Sequence, residues 1–298
     1  MEMVSAAKMR RAVSSVLGVR PYAHSAWHLL TNLARAFETF QGENPFLEVR
    51  PVRSVLVVVV SSDRGLCGSF NTQITKRLRE EFSAPEKLSM QHSGSRRIRS
   101  AVLPDALRID CITVGKKGES MVRKLKKEII ASFPDNAQFS VLTDIRPLAQ
   151  IVSEEYGART YDKVVVAYTD YVSAVTQQTK LRQILPISKL DIEQQIEEMD
   201  ILAKEYESTQ PMMEYKVEPS PKELLETIIP RLIEMQLFHA VLESQASEHA
   251  ARMVAMRNAT DAAAEMSGDL TLLYNQIRQG KITQEIAEIS AGSAALTS

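Results

Sequence analysis

Leu224, Ile228, Leu232, Met235, His239, Leu242, Ala246, His249, Met253, Met256, Ala259, Ala263, Met266, Leu270, Leu273 and Ile277 form one seam along the last quarter of the chain. The steps are threes and fours averaging about 3.5 residues, the heptad period of a left-handed coiled coil, not the 3.6 of a straight helix. Glu218-Pro219-Ser220-Pro221 is a favourable helix start, and before Gly292 only Pro230, Gly268 and Gly280 interrupt a helical pattern that runs to Leu296. At ~1.5 Å per residue, Arg231 to Ala295 spans roughly 100 Å. The whole chain packed as one compact domain would be only about 45 Å across. This helix has to project from the body of the protein.

The composition agrees. Of 298 residues only 11 are glycine, well under the usual ~7%, which excludes collagen-like, linker-like and turn-rich all-β classes. With 36 Lys+Arg against 37 Asp+Glu the formal net charge is −1, so the chain carries no electrostatic footprint for nucleic acid. Two cysteines, Cys67 and Cys111, cannot build a disulfide framework, which points to a reducing compartment. The longest aliphatic run, Val55 to Val60, is far short of the ~20 residues that span a bilayer. Met1 to Arg11 lacks the apolar segment of a secretory signal. Its Lys8, Arg10 and Arg11 loosely resemble a mitochondrial presequence, but Glu2 and the lack of a cleavage-like pattern favour an amphipathic helix of the mature fold.

Upstream of the seam, Met1 to Phe40 reads as helical, with Gly18 and Pro21 as its breakers, and Gln41 to Pro45 as a turn. Between Arg53 and Ile187, strand and helix signals alternate. Ser54 to Val60 and Asp162 to Tyr168 are β-branched without polar alternation, as in strands buried on both faces of a parallel sheet. Arg108 to Val114 reads as a further strand, and Val172 to Leu185 as one that turns back against its predecessor. Helices are expected over Asn71–Phe82, Lys117–Phe133 and Leu148–Tyr156, a short strand over Phe139–Leu142, an exposed loop over Ser83–Pro104 and an acidic surface helix over Ser188–Glu207. The expected fold is α/β: an antiparallel coiled coil of the N- and C-terminal helices with an inserted Rossmann-like, three-layer α/β domain. The divisions fall at residues 1–48, 49–218 and 219–298.

A helix that outruns its own domain needs a partner. The N-terminal helix, at ~60 Å, covers only part of it. The far end, with Ile282, Ile286, Ile289, Ala294, Ala295 and Leu296, is apolar, and exposed apolar surface of that kind marks a binding site. Two terminal helices pair, an α/β domain sits at one end, and the other end enters another protein.

Beyond pattern, specific stretches resemble a known family. Ser62-Asp63-Arg64-Gly65-Leu66-Cys67-Gly68-Ser69-Phe70-Asn71 after a Val-rich strand is similar to a signature of the gamma subunits of F-type ATP synthases. So are Met1 to Arg11, Val114 to Gly118, Glu243 to Met253 through Asn258-Ala259-Thr260, Leu272 to Gln279, and Ile282 to Glu285. The resemblance implies a central-stalk rotor, not catalytic on its own and holding no cofactor, that couples proton-driven rotation of a membrane ring to conformational changes at catalytic sites for ATP synthesis or hydrolysis. Implied partners are the alpha and beta subunits of the catalytic hexamer, epsilon/delta-type stalk subunits and the c-ring. The location is peripheral, on the matrix side of the mitochondrial inner membrane or, alternatively, the cytoplasmic side of a bacterial plasma membrane.

Carried over by position, Arg278, Gln279 and Thr283 resemble the catch on a catalytic-subunit loop. Ile286, Ile289, Ala294, Ala295 and Leu296 resemble the hydrophobic bearing, Met1 the lower lever contact, and Tyr215 and Glu218 the membrane-ring contact. Read without the resemblance, Arg278 is an exposed helix charge and Tyr215 and Glu218 belong to an ordinary connection. The chain departs from the family in lacking some twenty helical residues ahead of Met1, in Gly280, and in the 83–104 and 188–207 segments.

Two rival readings remain. The Asp63 to Gly68 loop lies between strand and helix, where α/β domains bind phosphates, though it matches neither Gly-x-Gly-x-x-Gly nor a Walker loop. A dinucleotide enzyme dimerised by its terminal helices would bind there. A scaffold coiled coil would instead need symmetric pairing of the long helix. Cys67 reads as a buried small hydrophobe rather than a reactive thiol. His239 and His249, ten residues apart at seam positions, read as packing residues rather than metal ligands.

Overall fold

A computed structural model describes residues 1–32, 44–48, 50–93, 96–99, 107–187 and 221–297. Helix α1 (Glu2–Asn32) precedes β1 (Ser54–Val60) and α2 (Phe70–Ser83). A small hairpin of β2 (Met90–Ser93) and β3 (Arg96–Arg99) follows. Then come β4 (Arg108–Val114), α3 (Lys116–Lys124), β5 (Glu128–Phe133) and α4 (Arg146–Gly157). The hairpin partners β6 (Lys163–Tyr171) and β7 (Gln177–Leu185) lead to α5 (Pro221–Thr297), 77 residues long and so about 115 Å.

The main sheet has the order β5-β4-β1-β6-β7. Its first four strands are parallel and β7 returns antiparallel. Strand β1 explains the three layers. Leu56, Val58 and Val60 face one core with Ala12 and Val16 of α1, Leu148 and Val152 of α4, and Ile233 and Leu242 of α5. Val55, Val57 and Val59 face a second core with Ile74 and Leu78 of α2 and Val122 of α3. A strand covered on both faces has no polar side to present, so an unbroken valine run suits it. The first core joins residues of α1, of the sheet with its helices, and of α5. Helix α1 packs along α5 as the expected coiled-coil partner.

Four local expectations are corrected. Lys117–Phe133 is not one helix. It stops after Lys124, Lys126 takes a left-handed φ of 55°, and Glu128–Phe133 becomes the edge strand β5. The apolar spacing of Met121, Val122, Leu125, Ile129 and Ile130 fits a helix, but β-branched Ile129 and Ile130 serve as well in a strand, and an open edge on β4 was there to pair. Phe139–Leu142 is not a strand. Short 3₁₀ turns at Asn136–Gln138 and Leu142–Ile145 flank a buried Phe139. Within Ser83–Pro104, a short helical turn at Pro85–Leu88 and the β2–β3 hairpin replace the loop. The backbone of α1 passes through Gly18 and Pro21 without a break, as that of α5 passes through Pro230. The acidic 188–207 segment lies outside the described residues.

Candidate functional site: the sheet edge and the projecting helix

In a doubly wound sheet the natural crevice lies beyond the carboxyl ends of the strands, where the strand order reverses. Here the reversal falls between β1 and β6, and α5 runs through it. Ser247 Oγ donates to the carbonyl of Thr169 at 3.1 Å, and the Glu243 carboxylate accepts the Tyr171 amide at 2.8 Å, both at the end of β6. Arg252 donates to the carbonyls of Arg64 (3.3 Å) and Gly65 (3.4 Å) in the loop after β1. Gln245 Nε2 donates to the carbonyls of Asn136 (2.7 Å) and Phe139 (3.3 Å) beyond β5. Close approach depends on small side chains: Ser244, Ala246, Ser247 and Ala250 are fully buried. Helix α5 occupies the place where the rival reading would put a dinucleotide.

The 61–68 loop is held from within. Both oxygens of Asp63 accept the Asn136 amide at 3.0 Å, and Asn136 Nδ2 donates to the Ser61 carbonyl at 3.1 Å. Asn71 Nδ2 donates to Ser62 Oγ at 2.7 Å and to Cys67 Sγ at 3.2 Å. Cys67 is buried, as its reading as a small hydrophobe expects. Gly115 sits at φ 89°, and a Cβ there would lie 2.3 Å from the Ser61 carbonyl oxygen, so only glycine fits. Gly68, at φ 56°, faces Ala251 and Ala255 of α5.

Charges at this contact are few and paired. Burial pushes the Glu248 carboxyl up, and Arg252, at 2.7 Å, opposes that shift. Burial, then the nearby Arg252 and Lys8 cations, push His249 down to about 4, so its ring is neutral at pH 7. Its Nδ1 lies 3.2 Å from Arg252 Nη1 and can accept from it. His239 is buried beside Glu243, with Nε2 3.5 Å from the carboxylate. Both histidines therefore sit in packed positions along the seam.

The residues that sequence reasoning singled out lie elsewhere. From Arg257 to Ser293 every side chain of α5 except that of Asn275 is exposed. Arg278, Gln279 and Thr283 are on this stretch, and Thr283 Oγ1 donates back to the Gln279 carbonyl at 2.9 Å. Ile286 and Ile289 are 62% and 73% exposed. Ala294, Ala295 and Leu296 belong to the last turns of the same helix. Met1 is 78% exposed at the start of α1. Arg278 stands about 40 Å along the axis from Arg252, so the candidate catch and the crevice are separate places. Tyr215 and Glu218 lie outside the described residues. Sequence reasoning missed Asp63, Asn136, Gln245 and Arg252 as a connected set. The available signal was that two motif-dense stretches, 62–71 and 243–253, mix small and hydrogen-bonding residues where a plain core contact would need neither.

No described helix is long and apolar enough to cross a membrane. The family model for ATP synthase matches residues 1–296. The ATP synthase gamma chain of Roseiflexus castenholzii is 38% identical over 298 residues, covering 99% of this chain and 91% of that one. The chain belongs to the ATP synthase gamma chain family. The gamma chain of Dehalococcoides mccartyi strain 195 is 32% identical over 296 residues, covering 99% of this chain and 92% of its own length. Among solved structures, a chain of the Tetrahymena thermophila mitochondrial ATP synthase central stalk and c-ring is similar with a TM-score of 0.59, at 22% identity, over 87% of this chain and 97% of that one. A chain of the Euglena gracilis enzyme gives 0.55 at 18% identity, over 98% and 95%. At these identities the likeness extends to the fold: a long helical hairpin carrying an α/β body. As a gamma chain, the protein is a subunit of the ATP synthase complex.

Proposed function

We propose that this gamma chain is the central-stalk rotor of its ATP synthase and does no chemistry itself. The observation that carries the reading is the bare stretch of α5, residues 257–293, which leaves Met266, Leu270, Leu273, Ile277, Ile282, Ile286 and Ile289 exposed on a helix that is packed against the body from Leu232 to Ala250. Such a surface needs a sleeve. The alpha and beta subunits supply it, with Arg278, Gln279 and Thr283 as the polar catch, Ile286, Ile289 and Ala294–Leu296 in the bearing, and Met1 at the lower lever. The α/β body, with Tyr215 and Glu218, faces the c-ring and the epsilon/delta-type subunits. The divisions at 1–48, 49–218 and 219–298 correspond to N-terminal shaft helix, foot and C-terminal shaft helix. The gamma chains at 38% and 32% identity are bacterial, which favours the cytoplasmic face of a bacterial plasma membrane over the mitochondrial inner membrane expected from the sequence.

Purification of the native complex is the test. The chain should elute with the ATP-hydrolysing hexamer; elution alone or as a homodimer ends the reading. A cysteine at Arg278 cross-linked to a catalytic subunit should stop ATP synthesis, and retained synthesis would contradict rotation.

A further inference from the structure

A shaft seam built of Ala, Met and His packs closely but without direction, because dispersion and apolar burial resist separation far better than sliding or turning. Torque passing between the α/β body and α5 therefore needs directional contacts. They cluster between Glu243 and Arg252: Glu243 and Ser247 hold the end of β6, and Gln245 and Arg252 reach two separate loops. Gln245 and Arg252 are seven residues apart, on the same face of α5 and about 10 Å apart along its axis. Each reaches a different loop at the carboxyl edge of the sheet: Gln245 the turn after β5, Arg252 the loop after β1. Four of the acceptors are main-chain carbonyls, of Arg64, Gly65, Asn136 and Phe139, with Asn136 Oδ1 a longer fifth at 3.4 Å, so most of a load enters the backbone of the loops that end the strands. The two loops are tied to each other by Asp63 on the Asn136 amide and by Asn136 on the Ser61 carbonyl. Glu248, nearly buried, fixes the Arg252 guanidinium at 2.7 Å.

We propose that Gln245 and Arg252, seated on the Asp63–Asn136 pair of loops, form a torque clamp that locks the α/β body to the shaft against twisting. They are positioning residues, and the assignment rests on the rotor reading. It gives the Ser62–Asn71 and Glu243–Met253 stretches a common mechanical role.

The test uses the complete complex in sealed vesicles, with Gln245→Ala, Arg252→Ala and the milder Arg252→Lys, which keeps the charge beside Glu248 but loses the fork that reaches two carbonyls. The readouts are protons pumped per ATP hydrolysed and ATP synthesis at high and low proton-motive force. For the alanine variants the pumping ratio should fall several-fold, with Arg252→Lys between them and the parent. Synthesis should fall more steeply at low driving force, because a slipping joint depends on load and a static packing defect does not. If any variant that assembles keeps the parent's pumping ratio and its synthesis at both driving forces, the clamp is refuted. If the alanine variants do not assemble, Arg252→Lys decides alone. Failure of the parent chain itself to purify with the hexamer would instead sink the rotor reading.

Discussion

The lower and upper halves of α5 share one heptad pattern and have opposite surroundings. From Leu232 to Ala250 the helix is buried by α1, the sheet and its loops, while from Arg257 to Ser293 it stands in solvent. The lower half is rich in small side chains, Ser244, Ala246, Ser247 and Ala250, with Glu243, Gln245 and Arg252 placed to bond specific backbone groups and Glu248 holding Arg252. The upper half repeats Met, Leu and Ile along the seam with polar residues facing outward. One period can therefore serve two purposes. Where the contact is permanent, small residues bring backbones together and hydrogen bonds fix the register; where it must turn, the apolar stripe is left smooth.

The comparison is most exposed to failure at matched alanines. Ala246→Leu, at a fully buried position, should cost about 2–3 kcal/mol through overpacking, read by urea unfolding. Ala263→Leu, on the exposed half, should change stability by no more than about 0.5 kcal/mol. Equal effects would mean that the two halves do not differ as described.

Acid provides the next test. His249 has a folded-state pKa of about 4 against an ordinary value near 6.5. Above about pH 6.5 the ring is neutral whether folded or unfolded, so the full stability is present. As pH falls from there toward 4 the unfolded chain takes up the proton first and stability is lost, levelling off below 4. After discounting for partial exposure, the loss is roughly 2 kcal/mol. The raised value of Glu248 acts in the opposite sense, so the difference between parent and His249→Gln isolates the histidine. Parallel pH profiles for the two would show that His249 titrates normally and that the lower half is wetter than its burial implies.

The smallest effect belongs to the upper half. A Cβ at Gly280 would meet nothing within 4 Å, so Gly280→Ala should stabilise the helix by ~0.5–1 kcal/mol, seen as slower amide exchange around residue 280. Faster exchange would mean that the glycine serves a bend which the straight helix does not require.

Much of this was legible beforehand because it rests on local periodicity. The valine run of β1, the strands at Arg108–Val114 and Asp162–Tyr168, and the heptad of α5 each declare themselves through spacing that a single element imposes. The misread segments were those in which a neighbour decided. Glu128–Phe133 became a strand because β4 offered an open edge, and Phe139 found a place in the core without a strand to carry it. The apolar far end at Ile286 and Ile289 could be named because an apolar stripe on a polar helix is visible in one dimension, whereas the candidate catch at Arg278, Gln279 and Thr283 came only from the family resemblance.

The contact between loop and helix could not be named, since its partners, Asp63, Asn136, Gln245 and Arg252, lie as far as 189 positions apart. By itself, the sequence determined that a long helix must project from an α/β body and carry an apolar stripe to its far end, since pitch and periodicity are properties of a single element. Only the tertiary structure decided that this helix fills the crevice at the sheet's carboxyl edge. That choice depends on which small residues face which backbone carbonyls once the chain has closed on itself.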